Sequence, residues 1–323
     1  MFDNLNNLIS QGSRTEWLEK WLLDEIWTFE RYQELSPIKY LEDGESKINE
    51  IEEIITHAAP RIYDEFLDET PRSKNLFDFF RGDETYALVI FDGLSLREIP
   101  VLINLAQKSN FSIKDRGISF SALPSETNDF IEQKLGLGNS APSQLPNRKE
   151  LKEKNISAYY YNNPNQQYQF DKDAKKLLLW SAFPDNTYND SGARFPKHFE
   201  QIHNLLETAW MNSVQRIPPG QKIVITSDHG YVYFGPNLSF PRSNAELKPL
   251  SEYLGGERYK RLSDDGLSPP IHDDLLTFPN RKIAVIKGRV QTHPPGKSAG
   301  MLYKHGGLSI MEMLVPWIEL VSK

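Results

Sequence analysis

The chain has 323 residues, 39% of them hydrophobic and 25% charged, with a formal net charge of −7 and no cysteine. Its length exceeds the ~150-residue prior for one domain, and its composition is that of a folded globular protein. The lack of cysteine excludes disulfides and thiolate metal sites, so any metal must sit on histidines and carboxylates; the acidic balance excludes a basic nucleic-acid coat but not nucleic acid as a substrate.

Met1-Phe2-Asp3-Asn4 shows neither the basic nor the apolar region of a signal peptide, and no stretch approaches the ~20 apolar residues of a membrane span. A cytoplasmic protein without membrane contact is expected. Residues 1–84 read as a helical N-terminal region. Trp17, Leu18, Trp21, Leu22 and Ile26 recur at helical spacing, and Ile48, Ile51, Ile54 and Ile55 repeat the pattern. Breaks are expected at Ser36-Pro37, Asp43-Gly44 and Thr70-Pro71. His57 reads as a histidine at a helix C-terminus.

The character changes at Tyr86. Tyr86 to Phe91 is a continuous apolar run, as expected of a strand buried on both faces. A helix is expected over 96–108, a strand from Gly117 to Ala122, and a helix from about Asn128. Residues 136–150 read as a surface loop, Ile156 to Tyr161 and Leu177 to Trp180 as strands, and His198 to Val214 as a helix. Ile223 to Thr226 is a further buried strand, with Tyr231 to Phe234 continuing after a turn. The polar stretch 235–280 reads as a cap or insertion, and Ile283 to Ile286 and Leu314 to Leu320 close the domain. This alternation predicts an α/β domain over 85–323, with a mostly parallel central sheet and helices on both faces.

Ligands of open α/β sheets bind beyond the carboxyl ends of the strands. Asp92-Gly93 follows one buried strand and Asp228-His229-Gly230 another. An Asp-Gly after a strand is by itself an ordinary turn. Carboxylate and imidazole together at strand ends are oxygen and nitrogen ligands for Zn²⁺ or Mn²⁺, and His305-Gly306-Gly307 adds a second His-Gly pair. Ser121 to Asn128 lies between a strand and a helix. A hydroxyl there caps the helix, or serves as a nucleophile where a helix N-terminus favours phosphate.

In this order, Val89-Ile90-Phe91-Asp92-Gly93-Leu94, Leu123-Pro124-Ser125-Glu126-Thr127, Ile225-Thr226-Ser227-Asp228-His229-Gly230 and His305-Gly306-Gly307-Leu308-Ser309 resemble the alkaline phosphatase superfamily, and within it the PglZ domain, over roughly residues 85–320. The resemblance implies a site for two divalent metal ions, zinc or alternatively manganese, that transfers phosphoryl groups. One metal would take Asp92, Asp228 and His229. The other would take His305 with an aspartate, for which Asp185 is the candidate. Asn189 stands where the superfamily often has a histidine, with Asp190, His198 and His203 as substitutes to weigh. The nucleophile would be Thr127, with Ser125 the alternative. Arg97 and Lys304 are placed to meet a phosphoryl charge, with Lys287, Arg289 and Lys297 nearby in sequence, while His272 and His293 lie in polar loops.

The implied function is a metal-dependent phosphodiesterase or nuclease-like hydrolase acting on a phosphodiester, nucleotide or nucleic acid, in a bacterial phage-defence system of the BREX kind. The alternative is a weak or inactive PglZ scaffold that docks other defence-system proteins, with the N-terminal helices as a docking module.

Overall fold

Apolar residues on both sides of a strand call for a core on each side, and the side chains sort accordingly. The computed structural model describes residues 14–58, 60–67, 75–80, 85–171, 173–190, 195–262, 268–292 and 303–322, with the backbone alone at 189, 190, 195 and 196. Its strands are β1 (Tyr86–Phe91), β2 (Phe111–Phe120), β3 (Ile156–Tyr161), β4 (Lys176–Ser181), β5 (Lys222–Thr226), β6 (Val232–Tyr233), β7 (Tyr259–Arg261), β8 (Leu275–Phe278), β9 (Ile283–Ile286), β10 (Tyr303–Lys304) and β11 (Leu314–Ser322). Ala87, Val89 and Phe91 of β1 enter one core, with Leu177 and Leu179 of β4 and Ile223 and Ile225 of β5. Leu88, Ile90, Leu178, Trp180 and Val224 enter the other.

The central sheet runs β2-β11-β5-β1-β4-β3. β1 is parallel to β4 and β5, and β3 is parallel to β4. β11 alone runs against its neighbours β2 and β5. The first core lies beneath the helices Pro37–Ala58, Ile99–Lys108 and Phe195–Asn212, and the second beneath Leu76–Phe79, Thr127–Lys134 and Lys149–Glu153. The expected α/β architecture, mostly parallel with helices on both faces, is the one observed.

Two readings gain detail here and one needs correction. β6 does not extend the central sheet; it pairs antiparallel with β10. The stretch 235–280 contains the helix Asn244–Leu254 and two strands, β7 and β8, that flank β9 in an antiparallel sheet with its own small core. The helix Pro37–Ala58 passes through Asp43-Gly44 without a break. Gly44 is there because the Trp27 ring lies against it, in the space where a Cβ would stand. A glycine that costs helix propensity is retained for close packing. Thr70-Pro71 lies outside the described residues.

The N-terminal helices belong to the same core as the sheet, and buried charge fixes them there. Glu45, Arg97 and Arg289 are all fully buried. The Glu45 carboxylate accepts from Arg97 Nε at 2.5 Å and from Arg289 Nη2 at 2.6 Å. Arg97 also donates to the Tyr231 carbonyl and lies over the Tyr231 ring. Arg97 and Arg289 are therefore structural cations of the frame and do not face a phosphoryl group. Burial acts to raise the Glu45 pKa, but the two guanidiniums outweigh it and hold the carboxylate below its ordinary range. That stabilisation is present at neutral pH and is lost as pH falls through the depressed pKa. Glu45→Ala would leave two buried guanidiniums without their carboxylate, at a cost of about 3–5 kcal/mol. A lower urea midpoint at neutral pH is the expected result; an unchanged midpoint would count against the network.

Candidate active site

Three neighbouring strand ends bring three carboxylates together. Asp92 follows β1 and donates its amide to the Ser181 carbonyl at the end of β4 (2.9 Å), so pairing continues past the strand. Asp185 follows β4 and donates its amide to the Asp92 carbonyl at 3.0 Å. Asp228 follows β5. Gly93 turns the chain at φ +68°, and a Cβ there would stand 2.9 Å from the Asp185 Cβ. The tight turn lets Asp185 approach Asp92.

Thr127 is the first residue of the helix Thr127–Lys134. Its Oγ1 donates to Asp228 Oδ2 at 2.7 Å and lies 3.5 Å from both Asp92 Oδ1 and His229 Nε2. His229 Nε2 is 3.6 Å from Asp92 Oδ1 and 3.6 Å from Asp228 Oδ2. Each of these ligands is tethered by one atom and presents another. Trp180 Nε1 donates to Asp92 Oδ2 (3.2 Å), and the Gly93 amide to Asp228 Oδ1 (3.1 Å). His229 Nδ1 faces the Gly230 carbonyl at 3.0 Å. A carbonyl only accepts, so Nδ1 carries a proton, and Nε2 is the nitrogen that faces the carboxylates.

His305 stacks on His229, with ring centroids 4.0 Å apart. Its Nε2 is 3.9 Å from Asp185 Oδ1, while Nδ1 lies 3.2 Å from Glu126 Oε1 and 3.2 Å from the Ser125 carbonyl. Ser125 is fully buried, and its hydroxyl accepts from the Gly306 amide (2.9 Å) and donates to the Gly307 carbonyl (3.0 Å). The Ser125 hydroxyl thus holds the His305 loop, while the Thr127 hydroxyl sits among the carboxylates.

The electrostatics match this crowding. Burial, then Asp228 and Asp185, push the Asp92 carboxyl well above its ordinary range against the opposing Trp180 N–H and His305. Burial acts to lower the His305 pKa, but Glu126, Asp185 and the Ser125 carbonyl overcome it and raise it to about 10. Ligand atoms of Asp92, Asp228 and His229 lie within 4.8 Å of one another, and so do those of Asp185, His229 and His305. Crowded carboxylates beside imidazole nitrogens are a donor set that fits a divalent cation.

The structure brings Asp92, Asp228, His229, Thr127, His305 and Asp185 to one edge of the sheet. Other candidates fall elsewhere. His203 packs on Phe199 and Tyr32, and burial drives its pKa down to about 4, so it is a core residue. His198 bonds to the Tyr303 hydroxyl and Thr187, outside both ligand groups. His272 contacts the Glu246 carbonyl and the Asp274 amide within the cap. His57 ends its helix, as expected. Lys287 faces Asp274 and Asp273. The side chains of Asn189 and Asp190, and all of His293 and Lys297, lie outside the described residues. Sequence reasoning missed Trp180, which read as a core residue, and Glu126, which sits unremarked between two hydroxyl candidates.

Beside Asp185 and His305 opens a cavity of about 490 Å³, also lined by Glu126, Tyr188, Tyr259, Lys260, Arg261 and Lys304. The cap supplies one wall, and Lys304 is the expected cation that does line it. Arg261 is itself bonded to Asp129 of the helix Thr127–Lys134.

No protein-family model matches the chain, and no curated protein matches it in sequence. Among solved structures it is similar to murine ectonucleotide pyrophosphatase/phosphodiesterase 5, at 13% identity and a TM-score of 0.43, over 73% of this chain and 88% of that one. It is also similar to phosphonoacetate hydrolase from Sinorhizobium meliloti 1021 in complex with phosphonoacetate, at 11% identity and a TM-score of 0.40, over 73% of this chain and 90% of that one. The corresponding human ectonucleotide enzyme gives 12% identity and a TM-score of 0.41, over 73% and 87%. Among the described residues no helix is long and apolar enough to cross a membrane.

Because the folded state raises the Asp92 pKa, ionising this carboxyl costs stability as pH rises above the ordinary carboxylate range. Asp92→Asn removes that cost. In chelator-stripped protein the variant is expected to melt higher than wild type, and to show a smaller rise in melting temperature than wild type when a divalent metal is added. Thermal melts with and without chelator read both effects; a lower melting temperature in the stripped variant would contradict the crowding argument.

Proposed function

We propose that the chain is a metal-dependent phosphoester hydrolase of the alkaline phosphatase superfamily, with Thr127 as its nucleophile. The observation that carries this reading is the place of Thr127 Oγ1: 2.7 Å from Asp228 Oδ2 and 3.5 Å from Asp92 Oδ1 and His229 Nε2. Asp92, Asp228 and His229 would hold one divalent cation, and Asp185 and His305 the other. Such ions supply Lewis acidity, easing deprotonation of a hydroxyl and offsetting phosphoryl charge.

The chain's own residues do the rest. The bond to Asp228 fixes the Thr127 rotamer, so the hydroxyl is held beside the carboxylates before substrate arrives. The amides of the first turn of Thr127–Lys134 offer donors to phosphoryl oxygens. Oγ1 attacks phosphorus, the P–O bond to the leaving group breaks, and the Thr127 proton passes to solvent. Water then attacks the phosphothreonine, the Oγ1–P bond breaks, and Thr127 regains its proton. The lysines and tyrosines of the adjacent cavity suit a leaving group with both charge and a planar face, as in a nucleotide or a nucleic-acid phosphodiester. Placement within the PglZ group, and with it a defence-system role and defence-protein partners, is supported by the order of the sequence motifs.

Purified protein with Zn²⁺ or Mn²⁺ is expected to cleave at least one of bis-p-nitrophenyl phosphate, a cyclic nucleotide and an oligonucleotide. Thr127→Ala should lose turnover by several orders of magnitude, since a nucleophile is removed. Ser125→Ala should lower stability while retaining a phosphorylatable Thr127, because it leaves the buried Gly306 amide unpaired. Cleavage of none of the substrates, or full activity in Thr127→Ala, overturns the proposal.

A further inference from the structure

We infer that Glu126 is a positioning residue for the second metal site: it holds the His305 ring by Nδ1 so that Nε2 faces Asp185. This rests on the hydrolase reading and deepens it, by assigning a role to a residue outside both ligand groups.

Glu126 is the N-cap of the helix Thr127–Lys134, in extended conformation at φ −131° and ψ 145°. A carboxylate at that position ordinarily accepts from amides of the first turn. Glu126 makes no such side-chain bond. Its Oε1 instead lies 3.2 Å from His305 Nδ1, joined at the same nitrogen by the Ser125 carbonyl at 3.2 Å. Neither oxygen can donate, so Nδ1 carries a proton and Nε2 is the nitrogen left to meet a cation. That nitrogen is the one 3.9 Å from Asp185 Oδ1.

The surrounding backbone reserves room for this contact. Gly306 has φ +100°, and a Cβ there would stand 2.7 Å from Glu126 Oε1 and 2.7 Å from Tyr259 Cδ1. The glycine beside His305 therefore serves the carboxylate as well as the turn. Glu126 is not part of the ligand-atom group of Asp185, His229 and His305, of which Asp185 faces the Nε2 side of the ring. A carboxylate behind a ligating histidine sets its tautomer and orientation, and loss of such a partner typically weakens metal binding about 10–100-fold.

Two measurements on the full chain test this. In metal-stripped protein labelled with ¹⁵N-histidine, the His305 Nδ1 proton, assigned with a His305→Asn control, should be protected from exchange. It should exchange at much the same rate in Glu126→Gln, whose amide oxygen still accepts, and faster in Glu126→Ala, where the Ser125 carbonyl is left as acceptor. Zinc titration against a chromophoric chelator should show the weaker of two sites reduced about 10–100-fold in Glu126→Ala, with the tighter site unchanged, and reduced by a smaller factor in Glu126→Gln. An unprotected His305 proton in wild type overturns the inference without any variant. Equal weaker-site affinity in all three proteins also overturns it, as does a Gln variant as weak as the Ala variant. Wild type that binds no zinc would sink the hydrolase reading, while the ring-proton measurement would still decide whether Glu126 holds His305.

Discussion

Burying a carboxylate is costly unless something compensates its charge, and this protein meets that constraint in two opposite ways. In the frame, each buried glutamate of an ion pair has its guanidinium. Glu45 is bound by Arg97 and Arg289, and Glu312 by Arg258 at 2.5 and 2.8 Å, all with fully buried side chains. At the sheet edge Asp92 and Asp228 are buried just as deeply, but they face a neutral hydroxyl, an indole N–H, a backbone amide and imidazoles. The same chain that supplies arginine to its frame places none in those bonds. With no guanidinium in those bonds, Asp92 and Asp228 keep oxygen atoms that a divalent cation could meet.

The frame pairs also determine where the site residues stand. Arg97 lies five positions after Asp92, and its bonds to Glu45 and to the Tyr231 carbonyl join the chain following β1 to the N-terminal helices and to the chain following Asp228-His229. Glu312 accepts from Arg258 of the cap and from the Gly307 amide at 2.9 Å, so one carboxylate joins the cap to the loop carrying His305. The N-terminal helices therefore bury much of their apolar surface internally, in the same core as the central sheet, which leaves less of it for docking another protein.

What was legible in the sequence follows from where the information is local. Asp92 and Asp228-His229 stand out because a run such as Val89-Ile90-Phe91 can only be a buried strand, and a carboxylate at its end is conspicuous. The α/β class follows from the same runs. Arg97 was misread because periodicity identifies apolar faces but does not reveal which charged residue turns inward; its partner Glu45 is 52 residues away in sequence. Gly44 looked like a break because the Trp27 ring that requires it comes from the bend between two earlier helices, distant in sequence. The polar composition of 235–280 marked an insertion but concealed β7 and β8, whose third strand β9 lies beyond its end. Glu126 was hidden in a different manner: an acidic residue at a helix start has an ordinary purpose, and only the absence of that capping bond shows it is employed elsewhere.

Three consecutive residues connect the two halves of the site. Ser125 holds the loop of His305 through Gly306 and Gly307, Glu126 reaches the ring itself, and Thr127 reaches Asp228 with Asp92 and His229 close by. An extended backbone sends successive side chains to opposite sides, and Glu126 is extended where Thr127 begins a helix. Neighbours in sequence can therefore serve different clusters without competing for space. The segment is short and buried at Ser125, so the His305 loop and the Thr127 hydroxyl are held by residues two positions apart. The two groups are thus linked through one short segment, which holds the histidine loop at Ser125 and meets Asp228 at Thr127.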